Sequence, residues 1–187
     1  MSTDSPEFWD NTWAEIGATG SGADEILAEQ IGHLTPGRAL EVGCGMGENA
    51  VWLAKKGWQV TAVDYSTVAI EKGMQLAAEQ DVSVDFVLDD ASKYQPMGSF
   101  DLITSFYIQL FPAQRAGMLA NLTKGLAPGG TFLFVSHDKS GSPSGWSEED
   151  LLSLTNPEEI VTELPDLQIV HALVLENTTV VKAIRAG

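Results

Sequence analysis

The 187-residue chain is poor in cysteine, in positive charge and in long apolar runs, and each scarcity removes a class of protein. Cys44 is its only cysteine. No internal disulfide can form, which fits a reducing cytoplasm. Residues 1–7 lack the basic and apolar regions of a secretory signal, so a cytoplasmic location is expected. Ten Lys and Arg stand against 26 Asp and Glu, a formal net charge of −16. A nucleic acid or an anionic membrane surface needs a basic face, so neither is an expected partner. The surplus of carboxylates reads as solubility. No apolar run is long enough to cross a bilayer. His33, His137 and His171 are scattered, CxxC and HExxH spacings are absent, and no metal site is expected.

What the chain does have is glycine at every second position in one stretch. Ala39-Leu40-Glu41-Val42 runs into Gly43-Cys44-Gly45-Met46-Gly47, and residues 50–57 behind them have helical character. The pattern is buried strand, tight loop, helix. Glycine permits positive φ and close approach of a ligand to the backbone. The helix start aims unpaired N–H groups and a positive dipole end into the loop. A phosphate-binding P-loop would place Gly-Lys-Ser/Thr here, but the chain reads Gly47-Glu48-Asn49, and Glu41 and Glu48 would repel a triphosphate. A dinucleotide fold wants G-x-G-x-x-G, and Glu48 stands where its third glycine would fall. A nicotinamide-dependent oxidoreductase is therefore a secondary reading, and a cofactor-binding protein without catalysis is another.

Elsewhere the periodicity alternates between helix and strand. Residues 6–16 form a helix with Trp9, Trp13 and Ile16 on one face, either packed on the body or acting as a lid over the ligand. Ser21 is placed to cap a second helix over 23–34. Residues 1–34 are thus an N-terminal helical cap on a single domain spanning 1–187. Strands are predicted at 38–42, 58–64, 82–88, 100–106 and 131–136. Ser66 caps a helix over 67–80. Pro112 opens a helix through 126 that Ala127-Pro128-Gly129-Gly130 ends. Apolar strands alternating with helices imply a parallel sheet covered on both faces, with ligands at the carboxyl ends of the strands. Residues 137–147 read as a loop, 148–154 and 157–164 as short helices. Strands at 167–175 and 179–184 are separated by too few residues for a crossover, so they pair antiparallel. The expected fold is α/β: a doubly wound, mostly parallel, seven-stranded sheet ending in an antiparallel hairpin.

These motifs, taken in order, resemble those of the class I S-adenosylmethionine-dependent methyltransferases, a Rossmann-like fold. Residues 39–49 are similar to that family's motif I, E/D-x-G-x-G-x-G. Val63-Asp64-Tyr65-Ser66 resembles its ribose-binding strand end, and Leu88-Asp89-Asp90-Ala91 its adenine-side segment. Ser99-Phe100-Asp101-Leu102-Ile103 is similar to its fourth-strand motif. Leu126-Ala127-Pro128-Gly129-Gly130 is similar to its L-x-P-G-G, and the terminal hairpin fits as well. The N-terminal Trp helix resembles tellurite-resistance and thiol methyltransferase types.

The resemblance implies S-adenosylmethionine as cofactor and methyl transfer to a small-molecule acceptor, with no macromolecule-recognition insertion. It implies a cradle of Glu41, Gly43, Cys44, Gly45, Gly47, Asp64, Tyr65, Asp90, Ala91 and Ser105. Glu41 would face the amino-acid end of the cofactor, or else bond the loop's own N–H groups. Asp64 would take the ribose hydroxyls, or else cap the following helix. Asp90, with the Ala91 N–H, would take the adenine, and Asp89 is the rival. Cys44 is a small filler of a tight loop. On the acceptor side, Tyr107 and His137 are the candidate catalytic residues. Trp146 lies beyond them, and packing roles are the alternatives for His137 and Trp146.

Overall fold

The computed structural model describes residues 5–16, 22–141 and 145–187. Ser21, the break around it, the middle of the 137–147 loop and residues 1–4 lie outside the described residues. Seven strands follow the order β3-β2-β1-β4-β5-β7-β6, mostly parallel with a reversed C-terminal hairpin, as the alternation predicted. The chain divides into two units between Ala91 and Ser92. No helix among the described residues is long and apolar enough to cross a membrane.

The first unit contains α1 (Pro6–Glu15), α2 (Glu25–Ile31), β1 (Arg38–Val42), α3 (Glu48–Lys55), β2 (Gln59–Asp64), α4 (Thr67–Glu79) and β3 (Asp85–Leu88). The cap of α2 is Asp24, whose carboxylate accepts the Ile26 N–H at 2.8 Å, so this helix starts and stops inside the predicted 23–34. Asp24 wins because its own N–H is also held, by Asn49 Oδ1 at 2.8 Å. β1 pairs in parallel with β2, and β2 with β3, Val42 facing Val63 and Asp64 facing Leu88. This register brings the ends of the three strands, and the loops after them, to one edge. Leu40, Val42, Ala62 and Val63 are buried beneath that edge.

The second unit contains β4 (Phe100–Phe106), α5 (Pro112–Leu122), β5 (Leu126–His137), α6 (Pro157–Glu163), β6 (Gln168–Leu175) and β7 (Thr178–Ile184). Several boundaries differ from the sequence reading. The helix opened by Pro112 ends at Leu122 and tightens into a 3-10 turn, Thr123–Gly125. The Ala127-Pro128-Gly129-Gly130 stretch belongs to β5, where the register against β4 shifts. Arg185 draws it into the sheet: Gly129 N–H donates to its carbonyl, and its N–H donates to the Gly130 carbonyl. The β6–β7 turn is only Glu176-Asn177, both at positive φ, a geometry suited to the twist of a two-residue hairpin, and Thr178 therefore joins β7. The short helix expected over 148–154 is a 3-10 helix of four residues, Asp150–Ser153. Buried Arg115 on α5 donates to both carboxylate oxygens of Glu163 on α6, at 2.8 and 2.9 Å.

Gly47 in the glycine loop has no room for a side chain. Its φ is +75°, and a Cβ there would lie 2.9 Å from the Phe86 ring. Gly47→Ala adds a left-handed backbone penalty to a steric one and should lower stability by about 1–3 kcal/mol, read from the denaturation midpoint. An unchanged midpoint would mean that the loop can be rebuilt without glycine there.

Candidate functional site

The predicted cradle residues Glu41, Gly43, Cys44, Gly45, Gly47 and Asp64 are brought together where β1 and β2 end. Gly43, Gly45 and Gly47 all take positive φ. Glu41, on β1, is 1 % exposed. The Asn49 side chain and the Ala50 N–H, both in the first turn of α3, hydrogen-bond to it. Its second oxygen, Oε2, has no partner among the described residues. Burial, aided by the nearby Asp64 charge, pushes the Glu41 carboxyl up to about 8, against those two hydrogen bonds. At neutral pH it therefore holds a proton. Asn49 was not among the residues singled out from sequence. Only its place one turn behind the glycines could have flagged it.

Asp64 ties two loops. Its Oδ2 accepts the Gly45 N–H at 2.9 Å and its Oδ1 the Ser66 N–H at 2.9 Å. Burial pushes its carboxyl up, bonds from the Ser66, Gly45 and Tyr65 backbone push it down, and the Asp10 charge pushes it up again. The helix-capping alternative is thus realised in part, although Ser66 Oγ is the actual α4 cap, accepting the Ala69 N–H at 3.1 Å. A carboxylate has about four lone-pair sites, and the backbone bonds from Gly45, Ser66 and Tyr65 do not use all of them. Cys44 is buried, and burial together with Glu41 and Asp64 holds its thiol well above the usual range. Asp89 turns back, its Oδ1 accepting the Asp90 N–H at 2.7 Å, and its own N–H donates to the Asp64 carbonyl at 3.0 Å. Asp90, Ala91 and Tyr65 are half-buried beside these bonds.

The Trp13 ring of α1 lies against the glycine loop: a Cβ added to Gly45 would meet Trp13 Cζ2 at 3.1 Å. Trp9 stacks on Trp13 with ring centroids 5.9 Å apart. Asp10 and Lys72, neither flagged by any sequence signal, join α1 to α4.

In the second unit, Tyr107 and His137 come together with ring centroids 5.0 Å apart, and Trp146 meets His137 edge-on at 5.2 Å. Parallel pairing of β4 with β5 produces this: the Tyr107 N–H donates to the Val135 carbonyl at 2.8 Å, one residue past the end of β4. Tyr107 sits at φ +53°, a conformation that a bulky residue seldom takes. His137 is the last residue of β5, not the first of a loop. A cavity of about 600 Å³ is lined by Tyr107, His137, Asp138, Glu176 and Asn177 among others. Burial lowers the imidazole of His137, which is therefore neutral at neutral pH. Asp138 is held the other way: burial raises its carboxyl, but bonds from Ser140 and Thr179 outweigh that and keep it ionised. Ser105, on β4, is fully buried with an unpartnered Oγ, as is Thr104. No group of three or more His, Cys, Asp or Glu among the described residues could hold a metal ion.

Residues 39–130 match the model of a family described as "Methyltransferase domain". A probable thiol methyltransferase of Arabidopsis thaliana is 30% identical over 155 residues, covering 76% of this chain and 68% of that protein. Of the next two curated relatives the chain spans 32% and 37% of the length. Among solved structures, TehB from Haemophilus influenzae has a TM-score of 0.73 at 16% identity, covering 96% of this chain and 66% of that one. The N-methyltransferase NodS from Bradyrhizobium japonicum, in complex with S-adenosyl-L-homocysteine, has a TM-score of 0.70 at 20% identity, covering 87% and 85%.

The raised carboxyl of Glu41 makes a stability prediction with a defined sign. Its folded value of about 8 lies above the ordinary 4.5, so the folded state binds the extra proton. Its contribution is complete below pH 4.5 and is lost as pH rises through 8. Glu41→Gln, which keeps the shape without the ionisation, should be more stable than the parent by about 1–3 kcal/mol at alkaline pH and nearly equal to it at pH 4. Thermal melts across that range check this, and a pH-independent difference would contradict it.

Proposed function

The chain belongs to the class I S-adenosylmethionine-dependent methyltransferases, and on that premise we propose how its own residues divide the work. S-adenosylmethionine, its cofactor, supplies a methyl group on a sulfonium already activated for transfer. The observation that carries the proposal is the buried, unpartnered Oε2 of Glu41 in a loop without a basic residue. It is built to receive an ammonium, not a phosphate, so Glu41 takes the amino-acid end of the cofactor. The start of α3 favours the accompanying carboxylate. Asp64 offers its remaining lone pairs to the ribose hydroxyls, and Asp90 with the Ala91 N–H receives the adenine. Tyr65 and the Ser105 hydroxyl complete the set. Trp13 makes α1 a lid, within a single functional domain spanning the chain.

The acceptor is a small molecule. The relatives described as a probable thiol methyltransferase and a probable tocopherol O-methyltransferase support this. The cavity of about 600 Å³ beside Tyr107 and His137 is of a size for such a ligand. Tyr107 and Trp146 orient it, and neutral His137 holds any proton it releases at a ring nitrogen. An excess of carboxylates argues against nucleic acid, and the lone cysteine suits the cytoplasm. A nicotinamide-dependent role has little support, because the terminal hairpin is reversed where a dinucleotide fold would stay parallel.

Calorimetry with S-adenosylhomocysteine and NAD tests the cradle. The former should bind without added metal, and tighter binding of NAD would overturn the assignment. A labelled methyl group, followed over an acceptor panel, then identifies the substrate. With that substrate, His137→Ala should leave S-adenosylhomocysteine affinity near the parent value and lower turnover by roughly 10²-fold or more. The acid limb of the parent's pH profile should fall below the ordinary imidazole value of 6.5, following the lowered His137. Parent-like turnover in the variant would make His137 structural.

A further inference from the structure

The first helix is held on the body without burying a single side chain fully. Apolar burial is the usual anchor of a surface helix, and in α1 it is only partial. Two charged side chains add to it. Asp10, in the middle of α1, accepts from the Ser66 hydroxyl at 2.6 Å and from the Val68 N–H at 3.2 Å, both at the start of α4. Lys72, one to two turns further along α4, donates to the carbonyls of Trp13 and Ile16, the latter at 2.6 Å, at the end of α1. α1 has no basic residue in its own last turn. Each charge therefore complements the dipole of the other helix: an anion at an N-terminus, a cation at a C-terminus.

The two contacts close a circuit around the cradle. Ser66, bonded to Asp10 through its hydroxyl, donates its N–H to Asp64. Asp64 accepts the Gly45 N–H, and Gly45 lies under Trp13, on the same helix as Asp10. We propose that Asp10 and Lys72 are positioning residues, a charged latch that holds α1 across the glycine loop and sets how long the cofactor stays bound. The inference rests on the reading of that loop as the cofactor cradle. Both side chains remain partly open to solvent, so salt screens the latch. Linkage makes it reciprocal: a cofactor retained by docked α1 must itself favour docking.

The test uses full-length parent, Asp10→Ala, Lys72→Met, the double variant and Lys72→Arg. Stopped-flow gives S-adenosylhomocysteine dissociation, and hydrogen exchange gives the mobility of α1. Each single loss should speed exchange in α1, leave β1 and β2 protected, and speed dissociation about 10-fold, the equivalent of one charge-assisted hydrogen bond. The double variant should add little, since either loss frees the same helix, and Lys72→Arg should restore slow dissociation. Salt should speed dissociation from the parent and not from the double variant. Fast α1 exchange with unchanged dissociation would overturn the latch, making α1 mere packing. Tighter binding on unlatching would overturn it by making α1 an obstruction, and unchanged α1 exchange would show that these side chains do not hold it. A parent that fails to bind S-adenosylhomocysteine at all would instead remove the cradle assignment beneath it.

Discussion

Two carboxylates, Glu41 and Asp64, buried where β1 and β2 end, are the constraint on which the first unit depends. Burying a charge is costly unless donors surround it. Asp64 is surrounded: backbone N–H groups from the Gly45 loop and from Ser66 converge on it, and they fix the spacing between the two loops. Glu41 is not fully surrounded, and its carboxyl rises to about 8 in response. Positive φ at Gly43, Gly45 and Gly47 shapes the loop that aims the Gly45 N–H at Asp64.

Strain and burial in the second unit tell a parallel story. Tyr107 is held at φ +53° by a hydrogen bond to β5, and its ring is placed against His137 rather than relaxed away. Strained backbone tends to mark functional positions, where the surrounding structure over-determines the conformation. Here the result is a half-buried neutral imidazole lining a cavity. The chemistry asked of the chain is modest, because a sulfonium methyl is already activated. On the function proposed above, the residues contribute placement and, where the acceptor needs it, a proton sink.

Much of this was legible in the sequence, for local reasons. Strands such as Arg38–Val42 and Phe100–Phe106 are apolar runs bounded by breakers, and periodicity finds them. The glycine spacing, Ser66 as a helix cap and the reversed hairpin were equally local. What escaped depended on distant partners. Asp24 took the α2 cap because Asn49, 25 residues away, secures its N–H. Pro128-Gly129-Gly130 reads as a helix stop until Arg185, beyond β7, draws it into β5. Asp10 and Lys72 are ordinary surface charges in the sequence, and only the docking of α1 on α4 gives them a task.

The most direct test of the account is a crystal structure of the protein with S-adenosylhomocysteine bound. The account places the ligand's amino nitrogen within hydrogen-bond distance of Glu41 Oε2, with Asp64 still holding the Gly45 and Ser66 N–H groups. A bound ligand whose amino group lies elsewhere, with Glu41 Oε2 left bare, would contradict it.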